Sequence, residues 1–280
     1  MSHTHSSIES KNAFAVAVDD GVATVTLVGP GKGNAMGPDF WRECPAVFQA
    51  LSADDAVRVV VVRGSGAHFS FGLDLMAMAA ELGPLLQTGA GVVERAKLLD
   101  VIASMQAGPD AVFRCKKPVI AAIHGWCIGG AIDFVAACDV RLASSTAKLS
   151  VREVKVAMVA DVGTLQRLPH IIGEAHTREL AFTGKDIDAA RAKAIGLVND
   201  VYDGDDALFA AARALAVDIA ANPPHVVQGI KAVMNARIAP AIAEGLRQVA
   251  TWNAAFLSSE DLGEAMAAFA EKRAPRFQGR

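Results

Sequence analysis

Residues 13–28, AFAVAVDDGVATVTLV, alternate apolar and polar positions in period two on either side of an Asp-Asp-Gly break, which predicts a β-hairpin. Past the turn-rich GPGKGNAMGP, apolar positions over 39–53 recur at helical spacing, and the β-branched run over 57–63 reads as a strand buried on both faces. A helix over 91–114, a second short β-branched strand over 118–123, a helix from the Gly129-Gly130 pair to Ala137, and short strands over 139–143 and 147–151 follow. Strand and helix units in this order predict an α/β fold. From about 205 the pattern is helical: ALFAAARALAVDIAA, a Pro223-Pro224 break, VVQGIKAVMNARI and an Ala-rich stretch to 270. The expected organisation is a leader over 1–12, a core over 13–204 and a helical region over 205–280.

Composition changes this picture in few places. A hydrophobic content of 52% invites a membrane reading, but the uncharged stretch from Pro118 to Ile132 is too short to span a bilayer and contains His124 and several glycines. The net charge of −3 argues against a nucleic-acid surface. Cys44, Cys115, Cys127 and Cys138 form no CxxC pair and no metal-type spacing, so reduced, buried thiols are expected. The opening MSHTHSSIESKN lacks a signal-peptide core and reads as a disordered leader, and the terminal FQGR is no peroxisomal address. On that ground the expected location is cytoplasmic.

Several motifs have plain structural readings. GPGKGN lacks the gap of a phosphate loop and reads as a tight turn; Ser70 is not in a nucleophile elbow; His124 reads as a core or turn residue, and Asp139 as a structural cap. No histidine pair has metal-ligand spacing, so no metal is expected.

The chemistry lies in three carboxylates, Asp133, Glu153 and Asp161, set in the most apolar, glycine-rich part of the chain. Acids in apolar surroundings are costly to ionise, their pKa rises, and they become usable proton carriers. Spacings of twenty and eight residues are too wide for one helical face, so they converge only if separate elements meet. Taken alone, Glu153 reads as a surface residue and Asp161 as a helix N-cap near Thr164. Two glycine segments, HFSFGLDLMAM and IGG, run from strand ends toward helix starts and are suited to presenting backbone N–H groups to a developing oxyanion.

FSFGLDLMAM and KPVIAAIHGWCIGGAIDFVAACDVRLA resemble the enoyl-CoA hydratase/isomerase, or crotonase, superfamily over nearly the whole chain. Asp133, Glu153 and Asp161 together with CIGG and ADVGTLQRLP resemble its Δ3,5-Δ2,4-dienoyl-CoA isomerases. The resemblance implies a crotonase-like spiral of β-β-α units, a C-terminal helical region supporting homotrimers or hexamers, and an acyl-CoA thioester of fatty-acid β-oxidation as substrate, with no separate cofactor. It implies an oxyanion hole from the N–H groups of Leu73 and Gly130, with Phe71, Gly72, Asp74 and Leu75 about the substrate. Asp161 would take a proton from C2, protonated Glu153 would deliver one to C6, and Asp133 would orient Glu153. A 2-enoyl-CoA hydratase, with Asp133 and Glu153 clamping a water, is the alternative; a noncatalytic acyl-CoA binding protein is the third. Met76, Met78, Leu82 and Leu86 are candidate pocket liners, with ordinary core packing at least as good a reading. Lys272 and Arg273 are candidate CoA-phosphate contacts, with solvated surface charge the plainer reading.

Overall fold

The computed structural model describes residues 12–29, 32–87 and 89–280. The expected leader, apart from Asn12, lies outside the described residues. In chain order the elements are β1 (Phe14–Asp19), β2 (Val22–Leu27), α1 (Pro38–Ala53), β3 (Val59–Gly64), the short α2 (Ala79–Leu82), α3 (Val92–Arg114), β4 (Val119–Ile123), β5 (Trp126–Ile128), α4 (Gly130–Ala136), β6 (Val140–Ser144), β7 (Lys148–Ser150), α5 (Thr164–Thr183), β8 (Ile187–Asp188), α6 (Ala189–Ala194), β9 (Asp200–Tyr202), α7 (Asp205–Ala220), α8 (Pro224–Phe256) and α9 (Glu260–Glu271). The hairpin turns at Asp20 and Gly21, both at positive φ (47° and 77°), the geometry whose twist matches the flanking strands.

A six-stranded sheet runs β1-β2-β3-β4-β6-β9, antiparallel only at the hairpin, and a small sheet runs β5-β7-β8. The chain alternates between them. β4 of the large sheet leads to β5 of the small one and then to α4; β6 leads to β7 and then to a 3-10 turn and α5. After β3, Ser70 bridges to Cys127 and takes the small sheet's place. This is the expected spiral of β-β-α units.

The valine run of β3 has a simple cause. Val60 and Val62 face the main core with Phe40, Phe48 and Phe134, while Val59 and Val61 face a second core capped by Leu208, Ala212 and Ala216 of α7. With both faces covered, alternation has no work to do and the run is continuous. The helical region from 205 thus begins with a layer of the sheet's own packing. A third cluster joins Leu98 and Ile102 of α3 to Ala250 of α8, Leu257 beyond it and Leu262 of α9. That cluster brings the C-terminal helices against the three carboxylates.

All four cysteines are unpaired and buried. His124 is a buried residue, its Nε2 3.1 Å from the Gly66 carbonyl oxygen. Asp139 is structural: Oδ2 accepts the Val119 N–H and the Lys231 ammonium, each at 2.7 Å. The segment after Gly72 does not enter a helix directly; Asp74 Oδ1 accepts the Ala77 N–H in a turn, and α2 begins only at Ala79. Among the described residues, no helix is long and apolar enough to cross a membrane.

Candidate active site

The backbone is placed first. Met36 N–H donates to the Gly72 carbonyl (2.7 Å) and Asp74 N–H to the Met36 carbonyl (3.1 Å), a parallel bridge that leaves the intervening Leu73 N–H turned away from the pairing. Gly129, at φ 54°, turns the chain from β5 into α4, and Gly130 is that helix's first residue, where an N–H has no intrahelical acceptor. A Cβ placed on Gly130 would stand 3.6 Å from the Leu73 nitrogen, so the two N–H groups are neighbours. Among the described residues neither donates a hydrogen bond. Asn34 holds this arrangement: its Nδ2 donates to the carbonyls of Ser65 (2.9 Å) and His68 (2.8 Å), its own carbonyl accepts the Ser70 hydroxyl (2.8 Å), and Ser70 Oγ accepts the Gly72 N–H (3.1 Å). Reading GPGKGN only as a turn passed over Asn34; its positive φ is the signal, since an asparagine in such a turn has a local hydrogen-bonding purpose.

The three carboxylates converge on one chamber, Asp133 from α4, Glu153 from the 3-10 turn after β7, and Asp161 from the loop before α5. Asp133 is fully buried and its Oδ1 accepts the Thr164 N–H at 2.5 Å. The α5 N-terminus is therefore served by Asp133, and the reading of Asp161 as its cap does not hold. Asp161 is fastened elsewhere: Oδ2 accepts from Asn253 Nδ2 at 2.7 Å, and its backbone carbonyl accepts from Gln106 Nε2 at 2.6 Å. Glu153 is half-buried, and its Oε2 and Asp133 Oδ2 both lack a partner.

Burial raises all three pKa values. For Glu153 the increase is large, with desolvation first and the neighbouring charges of Asp133 and Asp161 adding to it. Desolvation also raises Asp133, opposed by the Thr164 donor and the Arg167 guanidinium. Asp161 is pushed up to about 7, by desolvation against the Asn253 hydrogen bond, with Asp133 adding repulsion. Asp133 and Glu153 lie side by side; two ionised carboxylates have no donor to offer each other, so a proton held on Glu153 satisfies both unpartnered oxygens.

Around the acids the chamber is apolar, walled by Leu82, Leu86, Leu98, Ile102, Met105 and Leu257. Leu73, Gly130, Glu153 and Met158 are shared with an outer groove lined by Phe71, Asp74, Leu75, Met76 and Trp126, with Arg152, Lys155 and Arg273 beside them. Of the expected liners, Leu82 and Leu86 wall the chamber and Met76 the groove, whereas Met78 is a core residue because the turn at 74–77 rotates it inward. Gly72 contributes backbone. Arg273 reaches the groove but already pairs with Glu264 and Glu271. A separate hollow on the sheet face, lined by Arg63 and Arg213, is remote from this chemistry; Arg63 lies over the Phe209 ring and Arg213 pairs with Asp19.

Such a site, with paired backbone donors beside three acids in an apolar chamber, is suited to moving protons next to a carbonyl whose oxygen gains charge. The comparisons agree. The family model described as enoyl-CoA hydratase/isomerase matches residues 17–280. The chain is 44% identical to the mitochondrial Delta(3,5)-Delta(2,4)-dienoyl-CoA isomerase of Dictyostelium discoideum, over 92% of this chain and 87% of that protein. It is 40% identical to the peroxisomal Delta(3,5)-Delta(2,4)-dienoyl-CoA isomerase of Arabidopsis thaliana, over 92% and 93%. A crystal structure of an enoyl-CoA hydratase/carnithine racemase from Magnetospirillum magneticum superposes with a TM-score of 0.72 at 33% identity, covering 97% of each chain. These relatives overturn the expectation of a cytoplasmic protein, since both isomerases are named for mitochondria or peroxisomes; the want of a recognisable address in a short terminal stretch was too weak a basis. On sequence match and fold alike, the chain belongs to the enoyl-CoA hydratase/isomerase family.

Proposed function

We propose that the protein isomerises 3,5-dienoyl-CoA thioesters to their conjugated 2,4-isomers, in the breakdown of unsaturated fatty acids. The observation that carries this reading is Asp161, a third acid facing the same chamber as Asp133 and Glu153, with its pKa near 7. Moving a diene along a thioester requires a proton to leave C2 and another to arrive at C6. Those positions are too far apart for one small carboxylate, and a site with separate basic and acidic groups solves the problem.

In this reading ionised Asp161 takes the C2 proton. The electron pair moves into the thioester, whose oxygen rests against the N–H groups of Leu73 and Gly130; in related chemistry one such donor lowers the barrier by about 3 kcal/mol. Protonated Glu153 then delivers its proton to C6 and restores the carbonyl. Asp133, fixed by the Thr164 N–H, orients Glu153 and keeps its proton in place. Each turnover leaves a proton on Asp161 and a charge on Glu153, and the two are reset by exchange before the next. The apolar chamber receives the acyl chain, while Phe71, Asp74 and Leu75 border the thioester's path outward. Lys155 offers positive charge to the CoA phosphates along the groove, beside Arg152, which already pairs with Asp186. CoA belongs to the substrate, and the chemistry calls for no separate cofactor.

The test is an assay of purified protein with a 3,5-dienoyl-CoA and, separately, a 2-enoyl-CoA. Diene conjugation that is lost in Asp161→Asn supports isomerisation. Hydration alone, unaffected by that change, would replace it with the second reading, a hydratase, which the side-by-side Asp133 and Glu153 favour as a clamp for water.

The helical region from 205 to 280 is further proposed as a trimerisation region, within a trimer or a dimer of trimers. Val226, Ile230 and Val233 expose an apolar stripe at helical spacing on α8. Sedimentation of Val233→Glu against the parent protein tests it: a fall to monomer supports the stripe as the interface, and an unchanged assembly removes it.

A further inference from the structure

The Asp161 carboxylate takes a hydrogen bond from a residue 92 positions further along the chain. Asn253, on α8, is buried, with 1% of its surface exposed. Its Nδ2 donates to the Val159 carbonyl at 2.9 Å and to Asp161 Oδ2 at 2.7 Å. Both partners are acceptors, so only the NH2 side of the amide can face them, and the orientation follows from the network. Nδ2 thereby commits both its hydrogens, and no other side chain among the described residues donates to Asp161 Oδ1; besides Asn253, its own backbone N–H also favours the charged form, as a lesser contribution. A donor locked on one carboxylate oxygen favours the charged form and leaves the other oxygen to accept a proton.

The surroundings offer little else to favour that charge. Asp133 from α4 and Glu153 from the 3-10 turn face Asp161 from the same chamber and oppose its ionisation. From α3, Gln106 holds the Asp161 backbone carbonyl and leaves its carboxylate alone. Arg167 of α5 faces Asp110 and Asp133. Asn253 supplies the only side-chain donor on the Asp161 carboxylate among the described residues.

We infer that Asn253 is a positioning residue for the proton-transfer chemistry, holding Asp161 in its basic state and aiming Oδ1 into the chamber by the two hydrogen bonds of its amide. The inference rests on the reading of Asp161 as the base. It distinguishes Asp161 from Glu153, whose carboxylate receives no such donor among the described residues, and so assigns which acid starts each turnover charged.

The experiment is a 13C NMR titration of the aspartate carboxyls in full-length protein, with the Asp161 resonance identified by its disappearance in Asp161→Asn. In Asn253→Leu, similar in size and without a donor, the midpoint is expected to rise by about one to two pH units. In Asn253→Ser, which retains a shorter hydroxyl donor, the rise is expected to be smaller. The pH–rate profile should move with it, the ascending limb of kcat/KM shifting up while the high-pH plateau is largely kept; a merely structural role lowers the whole profile evenly. In the unmodified protein, the Asn253 side-chain 15N–1H resonance should titrate with the same midpoint as the Asp161 carboxyl. An unmoved Asp161 midpoint in a folded variant, or an Asn253 amide indifferent to that titration, overturns the inference. These NMR readouts need no turnover, so a failure of the isomerase reading in the assay is separable from a failure of the role given to Asn253.

Discussion

Gly72 passes so close to Ile128 that a Cβ on it would stand 2.3 Å from the Ile128 carbonyl oxygen and 3.0 Å from the Gly130 nitrogen. Its φ of 76° adds a second reason for glycine there. The contact brings the Leu73 and Gly130 N–H groups into one pocket. Gly72→Ala is therefore expected to separate the two donors, lowering kcat by about 10²- to 10³-fold, and to cost roughly 1–3 kcal/mol of stability from strain. Steady-state kinetics with a chemical melt measures both; full activity in Gly72→Ala would show that the paired donors are not used.

The pH dependence of the rate follows from Asp161. With a pKa of about 7, it is mostly protonated at pH 6 and mostly ionised at pH 8. The ascending limb of kcat/KM is expected near neutrality, falling about tenfold per unit on its acid side. A descending limb should follow where the Asp133–Glu153 pair loses its shared proton, and that midpoint belongs to the pair. A profile flat from pH 5 to 8 would remove Asp161 as the base.

Stability should run the other way. A carboxyl whose pKa is higher in the folded than in the unfolded chain binds its proton more tightly when folded, so folding loses free energy as pH rises between those two values. For Asp161 the window extends from its ordinary 3.8 to about 7, and the loss is on the order of a few kcal/mol. Glu179 and Glu264, whose surface partners depress them to about 2, act in the opposite sense and only below their ordinary 4.5; above pH 5 the raised Glu153 and Asp133 add to the Asp161 slope, and His124, which burial holds below its ordinary 6.5, opposes it up to that value, so Asp161 carries a part of the slope that its own substitution isolates. Melting temperature is expected to fall from pH 5 to 7.5, and Asp161→Asn to flatten the slope and stabilise the protein at pH 7.5. A slope indifferent to the substitution would mean that Asp161 is ionised throughout.

Beneath Asp133 lies Arg167, 2% exposed, with Nη2 3.3 Å from Asp110 and its guanidinium 5.5 Å from the Phe113 ring centroid. Gly163 makes room for it: a Cβ there would stand 1.7 Å from Arg167 Nη1. Arg167→Met takes the buried cation from beside Asp133 and leaves Asp110 only its outer pair with Arg114, and is expected to cost about 1–3 kcal/mol. Gly163→Ala should reproduce part of that loss by displacing the guanidinium, and the φ of 135° adds strain. Urea melts of both variants test this; a Gly163→Ala protein as stable as the parent would show that Arg167 has another place to go.

Much of the scaffold was legible along the chain because its causes are local or periodic. The Asp-Asp-Gly break demanded a tight hairpin, and the VRVVVVR run could be accommodated only where two cores press on one strand. The helix from Gly130 and the breaks near 205 and at Pro223-Pro224 are written in glycine, proline and spacing. Other features were not. Met78 looked like a pocket liner because its neighbours are, but the turn at Asp74 rotates it into the core. Asp161, read as a site acid by resemblance, could from its place before Val-Gly-Thr equally have been a helix cap; the structure decides against the cap, because the α5 N-terminus meets Asp133, 31 residues upstream.

Residue order alone carried the hairpin, the buried strands, the long helices and the three acids among apolar neighbours; it gave no sign of β5, α5, β8, α6 or β9, whose short or weakly periodic segments take their form from what they pack against. What those acids do depends on the fold. A carboxyl's pKa depends on the water it loses and the donors it meets, and these come from elements remote in the chain, Thr164 for Asp133 and Asn253 for Asp161. Residue type supplies the proton site. Its charge at neutral pH, and so its role as acid or base, is a property of the surroundings that folding assembles.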